Sequence, residues 1–161
     1  MGLDMYLEKR RKFDADKERS EVAYWRKANQ IHNWFVNNIQ GGIDNCTYYE
    51  VTKEQLEDLL SVCKRVLDNC KLVDGKVANG YSYTNDENGN PIKKFNYEEG
   101  KVINNAELAT ELLPTQGGFF FGSTDYDYWY LEDIKDTISQ ITRILEETDW
   151  ENEIIEYYAW W

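Results

Sequence analysis

Hydrophobic positions recur along the chain at two periods, and the switches between them outline the elements. Leu3, Met5 and Leu7 alternate with Gly2, Asp4 and Glu8, the two-residue period of a strand, so a first strand is expected over Met1–Glu8. A charged connection follows from Lys9 to Arg19. Its Lys9-Arg10-Arg11-Lys12 run has the makings of a nucleic-acid patch, but the acids that follow dilute it, and a solvated loop is the preferred reading. From Glu21 to Ile39 the spacing changes to three and four. Ala28, Ile31, Phe35 and Ile39 fall on one stripe, which predicts a helix ended by Gly41-Gly42. Cys46 to Val51 has strand character. Thr52 and Gln55 form a capping box for a second helix, whose apolar face is Leu56, Leu59, Leu60, Cys63, Val66 and Leu67.

Residues 71–101 are polar and irregular. Tyr81 and Tyr83, then Asn88-Gly89, then Ile92, Phe95 and Tyr97 suggest a hairpin-like excursion. A short helix is expected from Asn104 to Leu112, stopped by Pro114. The segment Gly117-Gly118-Phe119-Phe120-Phe121-Gly122 is too short for a helix and too apolar for a free loop, and is expected as a short buried strand. The longest helix is expected from Tyr126 to Glu147, with Tyr130, Ile134, Ile138, Ile141 and Leu145 on one face. Glu153–Trp161 reads as a last strand. Two Trp at its end imply that it is pinned in the sheet, beside the first strand. The order defines an α+β fold, with a small mixed or antiparallel sheet that includes both ends, covered by three or four helices.

At 161 residues, with 42% hydrophobic and 15% aromatic content, the chain suits one domain spanning 1–161, with 71–101 as an excursion from it. No apolar run approaches the roughly 18 residues of a membrane span, and Asp4 and Glu8 interrupt any signal-peptide pattern, so a cytoplasmic protein is expected. Cys46, Cys63 and Cys70 are odd in number and widely spaced, which argues against a disulfide framework.

Charge adds a functional constraint. The net charge is −12, unevenly placed. Residues 1–40 hold eight Lys/Arg against six Asp/Glu, and residues 41–161 hold ten against twenty-four. Residues 125–156 alone carry eleven acids and two bases. Such a surface repels phosphates, which disfavours direct binding of duplex DNA. It favours a protein partner with a basic surface, for which Asp125, Asp127, Glu132, Asp133, Asp136, Glu146 and Glu147 are the candidate contacts. Simple solubility explains the same charge.

A second constellation suits a small ligand. Arg26 and Lys27 supply cations, Trp25 and Trp34 supply faces for stacking, His32 lies nearby on the helix, and Gly117 and Gly118 offer backbone N–H groups. Together they suggest a nucleotide-like ligand, unless the aromatics belong to the core. The glycine segment lacks the lysine of a Walker loop. His32 and Cys46 are weak zinc candidates without close ligand spacing, and Glu132 with Asp136 is a weak site for a hard cation. No nucleophile–histidine–acid spacing is legible. Binding is preferred to catalysis, no cofactor is expected, and a metal-dependent hydrolase using His32 or the Asp125–Asp136 cluster is the remaining alternative.

Several segments carry a resemblance to a family. Met1-Gly2-Leu3-Asp4-Met5-Tyr6, Tyr24-Trp25-Arg26-Lys27 with Ile31-His32 and Trp34-Phe35, Leu113-Pro114 with Gly118-Phe119-Phe120-Phe121-Gly122, and the ending Tyr157-Tyr158-Ala159-Trp160-Trp161 resemble a widespread group of small phage and prophage proteins. That group ends in Tyr-Tyr-x-Ser-Trp-Trp, and Ala159 stands here in place of the serine. Residues 71–101 look like an insertion relative to its shorter members. Some members carry a phosphoglycerate-kinase label, which nothing in this sequence supports. A phage context implies an inhibitor of host defence, such as an anti-CRISPR protein that captures a basic nucleic-acid-binding effector. The alternative it leaves is an oligomeric sponge for a nucleotide-like molecule.

Overall fold

The computed structural model describes residues 2–14 and 18–161. Position 1 of the expected first strand and positions 15–17 of the expected charged loop lie outside that set. Among the described residues the fold is α+β, with four helices and two antiparallel sheets.

The main sheet has the order β2-β1-β6-β3, where β1 is Asp4–Arg11, β2 Ser20–Arg26, β3 Tyr49–Val51 and β6 Glu153–Trp160. Strands β1 and β6 pair along their whole lengths, from Asp4 opposite Trp160 to Arg11 opposite Glu153. The first and last strands thus form the middle of the sheet. Alternation sorts the side chains between its faces. Met5, Leu7, Ala23, Trp25, Val51, Ile155, Tyr157 and Ala159 are buried on one face. On that face, Phe35 of α1 (Asn29–Asn38) stacks on Tyr157 with ring centroids 3.9 Å apart. Helix α4 (Tyr128–Glu147) reaches the same face through Thr137, whose Oγ1 accepts a hydrogen bond from Trp25 Nε1 at 2.9 Å. Helix α2 (Lys53–Asn69) adds Leu56, Leu59, Cys63 and Val66 to the core.

The opposite face carries the polar and aromatic partners. Tyr24, Tyr6, Tyr158 and Tyr48 form a row of neighbouring rings across it. Beside them, Glu156 takes hydrogen bonds from Arg10 Nε at 3.0 Å and Arg19 Nε at 2.8 Å. Burial alone would raise the Glu156 pKa, but these hydrogen bonds and charges hold it below the ordinary glutamate value.

Three expectations need correction. The predicted helix over Glu21–Ile39 is two elements. Residues 20–26 form edge strand β2, and only 29–38 are helical. Val22 to Trp25 alternates as well as it spirals, and pairing with β1 decides the outcome. Lys27, at φ 57°, makes the turn between the two. The charged connection is shorter than expected, because β1 continues to Arg11. The triple-Phe segment is not a strand. Phe120 sits at φ 70°, Phe119 is 82% exposed, and Phe121 alone enters the core. The turn closes through the Phe121 N–H, which donates to Gly118 O at 3.2 Å. A Cβ on Gly118 would come within 2.7 Å of the Phe121 ring.

The other elements agree with the pattern. The capping box of α2 is present, with Thr52 N donating to Gln55 Oε1 at 2.9 Å and Gln55 N to Thr52 Oγ1 at 3.2 Å. Residues 71–101 become a long two-stranded hairpin, β4 (Leu72–Asn85) and β5 (Pro91–Ile103), followed by short α3 (Ala106–Leu112). Its tip is wider than an Asn-Gly turn. Asp86 Oδ1 accepts from Asn88 N and Asn90 N across the five residues between the strands.

Candidate functional site

The segment that joins α3 to α4 folds back over α1 and is fastened there by two of its asparagines, Asn29 and Asn33, the latter donating from Nδ2 to Pro114 O at 3.3 Å. Asn29 Nδ2 donates to Phe121 O at 3.0 Å and Ser123 O at 2.8 Å, and its Oδ1 accepts from Gln116 N at 2.9 Å. Asn29 is itself buried. A buried amide with both ends engaged holds the loop in one conformation.

The loop, the β2–α1 turn and the start of α4 enclose a cleft of about 270 Å³. Arg26 and Lys27 form its cationic side, Asp125, Asp127 and Asp133 its acidic side, and Trp129 a third wall. Lys27 is held in its left-handed conformation by Lys27 N donating to Leu3 O at 2.8 Å. Two glycines make room for it. A Cβ on Gly2 would lie 3.2 Å from Lys27 Cε, and one on Gly122 3.1 Å from Lys27 Cβ. Asp127 caps α4 by accepting from Tyr130 N at 3.1 Å. Asp133 faces inward and accepts from Gln30 Nε2 at 3.4 Å. Burial pushes its carboxyl up to about 6, the Gln30 hydrogen bond opposes that, and Asp136, Asp127 and Glu132 add to the rise.

The structure therefore brings together Arg26, Lys27, Asp125, Asp127 and Asp133, and separates the rest of the expected site. Trp25 and Trp34 are core residues, so neither is a stacking platform. Gly117 and Gly118 do not line the cleft. The expected acidic face is also divided. Glu132 pairs with Lys135 at 2.9 Å, and Asp136 accepts from Gln140. Glu146 and Glu147 lie at the other end of α4, about 20 Å from Asp133 at 1.5 Å per residue. A wider hollow of about 850 Å³ opens between Arg11, Phe13, Asp149 and Asn152, and gathers none of the expected ligand-binding residues.

His32 belongs to a different place, beneath the sheet. It is fully buried, with Nδ1 2.6 Å from the Tyr157 hydroxyl and Nε2 2.9 Å from Asp44 Oδ1. Phe121 meets its ring edge-on, and Trp161 tilts against it. Both ring nitrogens are engaged, which leaves no lone pair for zinc, for which His32 and Cys46 are only weak candidates in the sequence. Cys46 is exposed, and Cys63 and Cys70 are buried. Among the described residues no group of three or more His, Cys, Asp or Glu is placed to hold a metal ion. Among them too, no helix is long and apolar enough to cross a membrane.

Sequence reasoning missed Trp129, 69% exposed at the mouth of the cleft, and Asn29, one of its fasteners. Trp129 lies between Tyr128 and Tyr130, directly after Asp125 and Asp127, and three consecutive aromatics there are the signal that marks it. No family model, curated protein or solved structure matches the chain.

Proposed function

We propose that the protein is a stoichiometric binding protein of the phage anti-defence type, which captures the basic nucleic-acid-binding surface of an effector such as a CRISPR nuclease. One observation supports this reading. The segment from Phe119 to Asp136 presents Phe119 (82% exposed), Tyr128 (43%) and Trp129 (69%) among Asp125, Asp127 and Asp136. Exposed aromatics are the anchors that dominate binding energy at interfaces, and surrounding carboxylates steer a cationic partner onto them. Asp133 turns into the cleft, and Glu146 and Glu147 lie too far along α4, so the docking surface is smaller than the acidic run in the sequence. The test is a panel of purified RNA-guided nucleases, each assayed for binding and cleavage at low and high salt. The reading expects one of them to be bound and inhibited, with affinity that falls as salt rises, and Trp129→Ala to weaken it at least about tenfold. A panel left wholly unbound and active would overturn it.

A second reading rests on Arg26, Lys27 and Trp129 lining one cleft, a combination that suits an anionic, ring-bearing small molecule such as a nucleotide. Trp129 takes the stacking role expected of Trp25. Native mass spectrometry of the purified protein tests it. Extra mass with a purine absorbance, lost in Arg26→Ala, supports this reading over the first.

A further inference from the structure

The hairpin stands apart from the core, and its outer strand carries a motif with two-fold character. From Pro91 to Glu99 every residue of β5 is exposed. Among the described residues, the backbone bonds that join the strand to the body lie at its base, where Ile103 N donates to Tyr126 O and Val102 bridges to Asp127. The two edges of the hairpin differ. Strand β4 bulges between Ala78 and Tyr81, with Gly80 at φ 73°. Bulges blunt an edge against further pairing. Strand β5 places a single residue, Asn96, opposite that bulge, and keeps a regular edge.

The sequence of that edge is Lys93-Lys94-Phe95-Asn96-Tyr97-Glu98-Glu99. Read outward from Asn96, each residue meets its complement at the same distance on the other side. If two β5 edges pair antiparallel about a two-fold axis at Asn96, Phe95 lies opposite Tyr97 of the second copy, Lys94 opposite Glu98, and Lys93 opposite Glu99. The axis makes each of these pairs occur twice. Directly opposed residues of an antiparallel pair share a face. Phe95, Tyr97 and Tyr81 are 49%, 63% and 55% exposed, and they would close into one aromatic cluster flanked by ion pairs. Edge lysines ordinarily prevent strand pairing by repulsion. Here a second copy supplies the opposite charge to each.

We propose that the β5 edge is a homodimerisation surface, in which two copies of this chain join their hairpins into a four-stranded antiparallel sheet about Asn96. Existing side-chain contacts do not block it. Lys76 and Glu99 are 3.5 Å apart but 71% and 79% exposed, Glu98 accepts from Asn79 Nδ2 at 2.8 Å on the exposed surface, and Lys93 rests on the Tyr81 and Phe95 rings. Exposed pairs of this kind exchange partners readily. A two-stranded hairpin alone is only marginally stable in water, so a partner along its edge also stabilises the arm itself. The surface lies outside the Phe119–Asp136 region and does not depend on the function proposed above.

Sedimentation equilibrium of the full chain tests the proposal, at two salt concentrations and up to about 200 µM protein. The wild type is expected to dimerise, more weakly at high salt. The variant Lys93→Glu/Lys94→Glu places like charges at every flanking pair and is expected to weaken association at least about tenfold, as is Glu98→Lys/Glu99→Lys. Mixing the two variants is expected to give a heterodimer, and the fourfold exchange in one chain to restore the homodimer. These rescues separate a broken interface from a damaged hairpin. A wild type that stays monomeric throughout the range overturns the proposal. So does a dimer that both double variants leave unchanged, or variants that are not rescued by mixing.

Discussion

The Tyr157 hydroxyl and His32 Nδ1 lie 2.6 Å apart where neither residue exposes any surface. The Asp44 carboxylate can only accept from His32, so Nε2 carries the ring proton and Nδ1 accepts from Tyr157. The pair joins α1 to β6 across 125 positions of sequence. Burial holds the imidazole below its ordinary pKa, and Asp44 offsets that only in part.

Tyr157→Phe leaves His32 Nδ1 without a donor, deep in the core, and is expected to lower stability by about 1–3 kcal/mol in urea denaturation. Asp44→Ala is expected to cost less, because the Asp44 side chain is 33% exposed and water can replace it. A base held below its unfolded pKa binds fewer protons when folded. The contribution of His32 is therefore complete above about pH 6.5 and declines as pH falls below that. In His32→Gln, that part of the pH dependence should vanish.

Asp133 works in the opposite direction. Its carboxyl is raised to about 6 in the fold, so it binds more protons folded than unfolded. Its contribution is present at low pH and is lost as pH rises through about 6. Asp133→Asn keeps an oxygen for Gln30 and removes the buried charge. It is expected to be more stable than wild type by about 1–2 kcal/mol at pH 7, allowing for solvent screening of a side chain near the surface. The difference should open between about pH 4 and pH 6 and stay level above. Paired denaturation curves across that range would refute this if the variants run parallel throughout.

Glu156 supplies the acid limb. Arg10 and Arg19 hold its pKa down, so its stabilisation is present above the unfolded glutamate value and is lost as pH falls through the folded one. Glu156→Ala leaves two guanidinium groups together on a half-covered face, and is expected to cost about 2–4 kcal/mol at pH 7. Thermal unfolding followed from pH 7 to pH 3 should show a shallower decline in the variant.

Asn29→Asp makes a sharper test of the cleft than Asn29→Ala. The carboxylate still receives Gln116 N but faces the carbonyls of Phe121 and Ser123 with no hydrogen to give. It is expected to be the less stable variant by about 1–2 kcal/mol, since alanine leaves the same two carbonyls unpaired but sets no buried negative charge against them. In Asn29→Ala, which removes its acceptor, the Gln116 amide should exchange faster than in wild type.

Much of this fold is legible in the order of residues alone. The Thr52–Gln55 capping box sets the start of α2 through local chemistry, and the alternation of β1 and β6 needs only the two-residue period. The β2–α1 junction is less so. Val22 to Trp25 satisfies both periods, and the turn rests on Lys27, a residue type that gives no warning of a positive φ. The cleft is half legible. Arg26 and Lys27 stand out as adjacent cations, but their companions Trp129 and Asp133 are joined to them only by the packing of α4. For the same reason His32 is conspicuous in the sequence while Asp44 and Tyr157 are not.

The pairing of Asp4–Arg11 with Glu153–Trp160 also sets an order of events during synthesis. The neighbour that completes β1 is translated only after α1 to α4, so the nascent chain carries β1 with one edge open until residues 153–160 have left the ribosome. Closing so long a loop is also the slow kind of contact to make. Folding of the main sheet is therefore a late event, and a ribosome stalled before residue 153 holds a chain without its central strand pair.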